Sequence, residues 1–289
     1  MATPEASFSS AASADNLNRP LKVAPGTAGM EPSLSLNYSS QGGYGQLGVG
    51  FALGGLSTIA RCPMNEAQDG KTAAINYDTD ETNDRWCLDG QRLVPVGAKV
   101  AVTDDVFGNA AERQEYRTEL EGYARIESFE EAIPVALAGP YRFRVTTQAG
   151  QIMEFGSRWW VVTAGWMQSG VNGLGPLRGN STKVFVVDRV LDRAGNFIDI
   201  DYADRMYAQF PGDDSKWNNV LRMVPSCGDG LLAGEVEPRP IGAFPNVEYW
   251  VTGMRYYAAG SDPCYSDNNQ VVFTYQDIPG QAAYSARNR

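Results

Sequence analysis

Polar and apolar residues alternate along much of this chain, and glycine interrupts the alternation at short intervals. In the segment SLSLNY, Leu34, Leu36 and Tyr38 would lie on one side of an extended strand, because side chains alternate across a strand. Residues 141–145 and 151–155 repeat the pattern on either side of an Ala-Gly pair, which is typical of a β-hairpin. The sequence therefore predicts antiparallel strands joined by tight turns.

Two further pairs of strands are predicted in the second half of the chain. Residues 183–191 and 197–202 alternate around a turn, and residues 248–257 and 270–275 form another pair. Residues 109–121 have a helix-forming composition, but their apolar side chains alternate, so we expect a strand there as well. Because glycine and proline recur throughout, no helix longer than about three turns is expected. The predicted class is all-β, with antiparallel hairpins and meanders in a curved sheet or sandwich and few short helices.

The composition excludes several kinds of function. The chain has no histidine, which excludes Ser-His-Asp and Cys-His catalysis and histidine-ligated metal sites. Its net charge is −10, and Lys and Arg form no stripe, so nucleic acid and anionic membrane surfaces are poor partners. No run of apolar residues approaches the roughly 18 that a helix needs to cross a bilayer. We therefore expect no cofactor, no nucleic-acid partner and no membrane span.

A glycine-rich segment at 41–56 contains seven glycines among Tyr, Leu, Val and Phe. A phosphate-binding loop would need a following helix and, in the Walker type, a Gly-Lys-Ser/Thr ending, and this segment has no lysine. Glycines of this kind instead allow a strand to bend or two backbones to approach closely. The segment is therefore interpreted as structural.

The four cysteines form two separated pairs. Cys62 and Cys87 lie in the first third of the chain, and Cys227 and Cys264 lie in the last third, with no CxxC motif. This spacing favours two local disulfides over a zinc site, and disulfides imply an oxidising compartment. Four buried free thiols in a cytosolic protein are the alternative.

The chain also carries five distinctive segments in a fixed order. They are PGTAGMEP at 25–32, LSLNYSSQGG at 34–43, DRWCLDGQRLV at 84–94, GQIMEFG at 150–156 and DRV at 188–190. Together they resemble the SpvB/TcdB N-terminal domain, which begins the B component of Tc-type toxin complexes and many bacterial proteins with RHS (YD) repeats.

The resemblance implies a domain organisation and a role. It covers residues 20–280, after a disordered lead-in at 1–19 and before a tail at 281–289, and residues 206–246 are interpreted as an insertion. In the family this domain precedes strands that wrap into a hollow shell around a toxic C-terminal segment. The resemblance therefore implies a non-catalytic part of a secreted toxin or large surface protein, with other protein domains or further copies of itself as partners.

Two groups of residues could form small sites. The acidic segment containing Asp78, Asp80 and Asp84 is a calcium candidate, but it lacks the glycine and the distal glutamate of an EF-hand, so a solvated turn is the preferred interpretation. Trp159, Trp160 and Trp166 could stack on the apolar faces of sugar rings, although packing in a core or interface is the commoner role of tryptophan.

Two hypotheses follow from the sequence. The favoured one is a non-enzymatic structural module of an exported, virulence-associated RHS or Tc-type toxin. The alternative is a stand-alone secreted carbohydrate-binding module that uses the three tryptophans. A structural module should expose strand edges or assemble, whereas a lectin-like module should be a monomer with a concave aromatic patch.

Overall fold

The computed structural model describes residues 16–45, 47–75, 84–131, 139–157, 161–163, 182–206, 247–261 and 268–275. Within these ranges the chain is built from antiparallel strands, one four-residue α-helix and a short 3-10 helix. The predicted all-β class is therefore confirmed. No helix in the described ranges is both long and apolar enough to cross a membrane.

The chain divides into two compact units. The first unit comprises Met1–Val23, Pro32–Leu56 and Ile278–Arg289, and the second comprises Ala24–Glu31 and Ser57–Asp277. The described strands of the first unit are β1 (Asn16–Pro20), β2 (Ser35–Ser39), β3 (Tyr44–Gly45), β4 (Gly48–Val49) and β5 (Phe51–Gly54).

The second unit contains the remaining elements. They are the 3-10 helix (Thr27–Gly29), β6 (Thr58–Cys62), α1 (Glu66–Asp69), β7 (Arg85–Leu88), β8 (Gln91–Thr103), β9 (Ala110–Thr118), β10 (Arg125–Glu131), β11 (Arg142–Thr146), β12 (Ile152–Phe155), β13 (Val161–Thr163), β14 (Thr182–Leu191), β15 (Phe197–Met206), β16 (Val247–Tyr257) and β17 (Asn269–Val272).

In the first unit, β1, β2 and β5 form a sheet with one apolar and one polar face. Leu17, Tyr38 and Phe51 lie opposite one another across the three strands and share the apolar face. On the polar face, Asn18 donates a hydrogen bond to Asn37, with 2.8 Å between Nδ2 and Oδ1. The predicted strand at Leu34–Tyr38 is present as β2, and β1 places residues 16–19 of the predicted lead-in within this sheet.

In the second unit, eight strands form a sheet that closes on itself in the order β12-β11-β10-β9-β8-β7-β6-β14. The ten-residue strand β14 makes the closure possible because its two halves have different partners. Val184–Val186 pair with β6, and the part from Val187 to Leu191 pairs with β12. Beyond β14 the sheet continues through β15, β16 and β17.

Apolar side chains fill one face of this sheet. Trp86, Phe143 and Phe185 form a cluster with ring centroids 5.0–5.4 Å apart, and each is buried. A row of directly paired residues continues this face across seven strands: Tyr116, Ile126, Val145, Met153, Val190, Ile198 and Tyr256. These side chains share one face because alternate residues of a strand point to the same side of the sheet.

The predicted hairpins are present. β11 and β12 pair around the turn at Gly150, and β14 and β15 pair around the turn at Gly195; both glycines have positive φ, a conformation that favours glycine. β16 and β17 form the third predicted pair, and residues 110–118 of the ambiguous segment form β9. The predicted insertion at 206–246 lies outside the described residues, apart from Met206.

Candidate functional site

On the face opposite the apolar core, charged residues form a second row across the same seven strands. Each member lies directly opposite the next in the strand register. We call this row the charged ladder; its members are Glu115, Glu127, Arg144, Glu154, Arg189, Asp199 and Arg255. From Glu127 onward the sign of the charge alternates at every step, which is the favourable order for cross-strand pairs.

Ion pairs bind neighbouring members of the charged ladder. Arg144 lies 2.6 Å from Glu154, measured from Nε to Oε1. Arg189 is bidentate to Asp199, with 2.6 Å from Nε to Oδ1 and 3.0 Å from Nη2 to Oδ2. The hydroxyl of Tyr257 donates to Asp199 at 2.9 Å. Paired, oriented contacts of this kind fix the register of adjacent strands.

Three of the four ladder carboxylates, those of Glu127, Glu154 and Asp199, are buried. Asp199 is fully buried and Glu154 is 4% exposed, whereas the side chain of Arg189 is 35% exposed. Burial raises the pKa of Glu154 above its usual value, although Arg144 and Arg142 oppose that rise. Burial and the neighbouring Asp199 raise the pKa of Tyr257. The guanidinium groups therefore balance the negative charges of carboxylates that water does not reach.

Two residues before Arg144 on β11, the fully buried Arg142 binds three acids. Its guanidinium donates to Asp104 at 2.7 and 3.0 Å, to Asp105 at 2.8 Å and to Glu154 at 3.1 Å. It also stacks on Phe129, 3.5 Å from the ring centroid. Burial acts to raise the pKa of Asp104, but hydrogen bonds, above all from Arg142 and Tyr141, lower it to about 2. This network attaches the loop after β8 to the strand β11.

Of the calcium candidates, only Asp84 lies within the described residues. It is buried, and its Oδ2 accepts a hydrogen bond from Arg61 Nη1 at 2.9 Å. The Arg61 guanidinium in turn lies 4.6 Å from the centroid of the Trp86 ring. Asp78 and Asp80 lie outside the described residues. Among the residues that are described, no cluster of His, Cys, Asp and Glu side chains could hold a metal ion.

The predicted local disulfide between Cys62 and Cys87 is present. It joins the neighbouring strands β6 and β7, with the Cα atoms 6.0 Å apart and a sequence separation of 25. Cys227 and Cys264 lie outside the described residues, so their pairing stays a prediction. Trp159, Trp160 and Trp166, the predicted carbohydrate platform, also lie outside them.

The charged ladder was not predicted from the sequence, although part of its signal is visible there. Once the turn of the β11–β12 hairpin is fixed, its register places Arg144 opposite Glu154. The same reasoning places Arg189 opposite Asp199 in the β14–β15 hairpin. The pairing between Glu154 and Arg189, however, joins different hairpins and depends on the closure of the sheet.

The chemistry available to the ladder is limited by this pairing. Glu127, Glu154 and Asp199 each lie within ion-pair distance of at least one guanidinium. Fixed guanidinium partners hold these carboxylates in place, so the pairs serve to join neighbouring strands.

The fold defines an all-β module built on a closed antiparallel sheet. The family model described as "Salmonella virulence plasmid 65kDa B protein" (SpvB) matches residues 10–204, more than half of the chain, so this chain belongs to the SpvB family. The resemblance identified in the sequence is thereby confirmed. The sequence matches no curated protein.

Solved structures of toxin components share the fold. A TcdB2-TccC3-Cdc42 crystal structure has a TM-score of 0.56 at 18% identity over 84% of this chain and 9% of that one. The structure of the Photorhabdus luminescens Tc holotoxin pore has a TM-score of 0.55 at 16% identity, over 84% of this chain and 9% of that one. The N-terminal domain of effector protein SpvB from Salmonella typhimurium strain LT2 has a TM-score of 0.54 at 19% identity, over 83% of this chain and 63% of that one. This chain thus spans about a tenth of the length of the Tc-toxin chains.

Proposed function

We propose that this chain is a non-catalytic structural module of a secreted Tc- or RHS-type toxin or of a large surface protein, where it contributes to a β-strand shell or assembly. Its partners are other protein domains of the same assembly or further copies of itself. It needs no cofactor and binds no nucleic acid. The module acts through its shape and rigidity.

The observation that carries this proposal is the way the closed sheet uses its two faces. The apolar face is filled by packed aromatic side chains, including Phe143 and Phe185, which are both fully buried. The opposite face carries the charged ladder, whose acids are paired with arginines. One face of the sheet is closely packed and the other carries paired opposite charges. Both features make the sheet rigid, which suits a shell that must keep its shape.

The known structures support the same role at the level of fold. The titles of the matched structures describe complexes of TcdB2 with TccC3 and a Tc holotoxin pore, which are multicomponent toxin assemblies. Those descriptions concern those proteins. They support the proposal that this chain also works as one part of a larger assembly.

Export is part of the proposal. The Cys62–Cys87 bond joins two core strands, and such bonds form and persist in oxidising compartments. An exported bacterial protein would fold where this bond can form. Secretion or display at the cell surface is therefore the proposed location.

The test is the native mass of the species that carries this module in the producing bacterium. An antibody against the second unit would be used on native gels of culture supernatant, surface fraction and cell extract. A structural module should be detected in a species much larger than 31.4 kDa, the mass of this chain. Detection only as a compact monomer of that mass, at every concentration, would overturn the proposal.

The same experiment addresses the alternative, a stand-alone secreted carbohydrate-binding module. That function would give a monomer whose glycan binding is lost in Trp159→Ala, Trp160→Ala or Trp166→Ala. A large assembly without glycan binding at these tryptophans would argue against it.

A further inference from the structure

A cavity of about 360 Å³ lies against the Cys62–Cys87 disulfide. Both cysteines line it, together with residues from the β7–β8 turn, the segment that leads into α1 and the connection after β9. The cavity is open to solvent, and its volume is within the range of roughly 300 to 1,000 Å³ that is usual for small-molecule sites. A small solute can therefore come into contact with the disulfide.

The strand register places the disulfide on the face opposite the aromatic cluster. Arg61 on β6 is paired with Trp86 on β7, and the next pair along the two strands is Cys62 with Arg85. Because side chains alternate across a strand, Cys62 and Cys87 lie on the other side of the sheet from Trp86. Cys87 is 8% exposed, and Cys62 is more exposed than that. Cys62 is therefore the more accessible end of the bond.

Two arginines flank the disulfide on its own face of the sheet. Arg85 lies directly opposite Cys62, and Arg92 lies directly opposite Cys87. Both guanidinium groups bind Asp69, with 3.0 Å from Arg85 Nε to Oδ1 and 2.7 Å from Arg92 Nη1 to Oδ2. Because two arginines share one carboxylate, these three side chains keep one net positive charge. Positive charge close to a cysteine stabilises its thiolate form and makes that thiolate a better leaving group.

One acid at the cavity opposes this effect. Glu119 lines the cavity and accepts a hydrogen bond from Gln68, and its backbone N–H donates to the carbonyl of Arg92 at 2.9 Å. The Glu119 carboxylate repels a thiolate that enters the cavity, whereas Arg92 stabilises the thiolate that leaves from Cys87. The two residues therefore act in opposite directions on attack by an external thiol.

We propose that the Cys62–Cys87 bond is a thiol-exchange site, which a small thiol such as glutathione cleaves while the chain stays folded. A glutathione thiolate attacks Sγ of Cys62, the bond to Cys87 breaks, and Cys87 leaves as a thiolate. A second glutathione thiolate attacks the sulfur of the bound glutathione, which releases Cys62 and oxidised glutathione. In total, two glutathione thiols are oxidised to one disulfide, and two cysteine thiols are formed.

The sheet does not have to open for this reaction. β6 and β7 are paired from Ile59 to Cys62 and from Arg85 to Leu88, and this backbone pairing does not require the disulfide. The bond would therefore be present in an oxidising compartment and lost in a reducing one without loss of the fold. This inference does not depend on the proposed structural role of the chain.

The experiment follows reduction of the oxidised, intact chain by glutathione at neutral pH, with glutathione reductase and NADPH to keep the glutathione reduced. Samples are trapped with N-ethylmaleimide, and peptide mapping by mass spectrometry measures free thiol at Cys62 and Cys87 separately from the other two cysteines. Circular dichroism shows whether the chain is folded. Arg92→Gln and Glu119→Gln are the test variants. Arg125→Gln is the matched control, because that arginine lies on β10 and does not line the cavity.

The expected rate of reduction is first order in glutathione and changes little with urea below the unfolding transition, since the folded chain is the reactive form. Glu119→Gln should react about threefold faster than the parent, and Arg92→Gln about threefold more slowly. Arg125→Gln should react within about twofold of the parent rate.

The proposal would be overturned if excess glutathione left the bond intact in the folded chain. It would also be overturned by a rate that is independent of glutathione or that rises steeply with urea below the transition, because either result shows that the chain must unfold first. A folded Glu119→Gln chain that reacts no faster than the parent would have the same consequence, and that comparison does not require Arg92→Gln to fold.

Discussion

Arg142 and Asp104 form a bidentate ion pair in which both side chains are fully buried, with 2.7 Å from Nε to Oδ2 and 3.0 Å from Nη2 to Oδ1. Asp104 follows β8 and Arg142 begins β11, so the pair connects segments 38 positions apart in sequence. Because Arg142 also binds Glu154 on β12, one guanidinium links a loop and two strands. Removing it would leave two buried carboxylates without their common partner.

The first prediction follows from that arrangement. Arg142→Met should lower the free energy of unfolding by about 3 to 5 kcal/mol, because a buried carboxylate without its partner is costly. Arg125→Met is the matched control: this arginine pairs with Glu127, but its side chain is 47% exposed, so the loss should be below about 1 kcal/mol. Urea unfolding followed by circular dichroism measures both. Equal losses in the two variants would contradict the structural role assigned to Arg142.

The second prediction concerns acid. The pKa of Asp104 is about 2 in the folded chain and 3.8 in its ordinary state, so the folded form binds this proton less readily. The Asp104 carboxylate therefore contributes roughly 2 kcal/mol to the unfolding free energy. This contribution is fully present above about pH 5 and is lost as the pH falls toward 2. Asp104→Asn should flatten the pH dependence of the unfolding free energy between pH 5 and 2.

The control for this titration is Asp105→Asn. Asp105 also binds Arg142, but its side chain is 59% exposed. The slope of unfolding free energy against pH should therefore stay close to that of the parent chain. A slope in Asp104→Asn equal to that of the parent would show that this carboxyl titrates at its ordinary pKa.

The strands could be predicted from the sequence because their signal is local. Alternation and a glycine turn specify the β11–β12 and β14–β15 hairpins without knowledge of the rest of the chain. The same alternation predicted a strand at β9, although the composition of that segment favours a helix. Local pattern is also sufficient to place Arg144 and Glu154 in one pair.

The closure of the sheet could not be predicted in this way. It depends on β14 pairing with β6 in one half and with β12 in the other, across long sequence separations. The burial of Arg142 likewise results from a loop folding over β11, which no local pattern encodes. The aromatic pair Tyr38 and Phe51 lies in the glycine-rich segment and the strand before it, where the sequence indicated only close backbone packing.

The third prediction tests the disulfide. Replacing Cys62 and Cys87 together by serine should lower the free energy of unfolding by about 3 kcal/mol, because the bond closes a loop of 25 positions in the unfolded chain. Non-reducing peptide mapping by mass spectrometry should recover the Cys62–Cys87 peptide pair from the parent. The same map tests the predicted pairing of Cys227 with Cys264. Free thiols at Cys62 and Cys87 in protein purified from the secreted fraction would contradict the prediction.

The fourth prediction concerns the segment that precedes the 3-10 helix of the second unit. Tyr256 donates a hydrogen bond to the carbonyl of Ala24 at 2.7 Å, and Asn269 donates to the carbonyl of Pro25 at 3.1 Å, so the segment is attached to β16 and β17. At the next position, a Cβ on Gly26 would lie 2.0 Å from the carbonyl oxygen of Met30.

Gly26→Ala must therefore shift the backbone of this turn, and we expect a loss of about 1 to 3 kcal/mol in unfolding free energy. Amide hydrogen exchange should also become faster in β17, which this segment contacts. Gly43→Ala is the matched control, since a Cβ there would meet no atom within 4 Å, and its effect should stay within about 0.5 kcal/mol. If Gly26→Ala were as stable as Gly43→Ala, the tight turn at 26–30 would not exist in solution, and the attachment of this segment to β16 and β17 would have to be reconsidered.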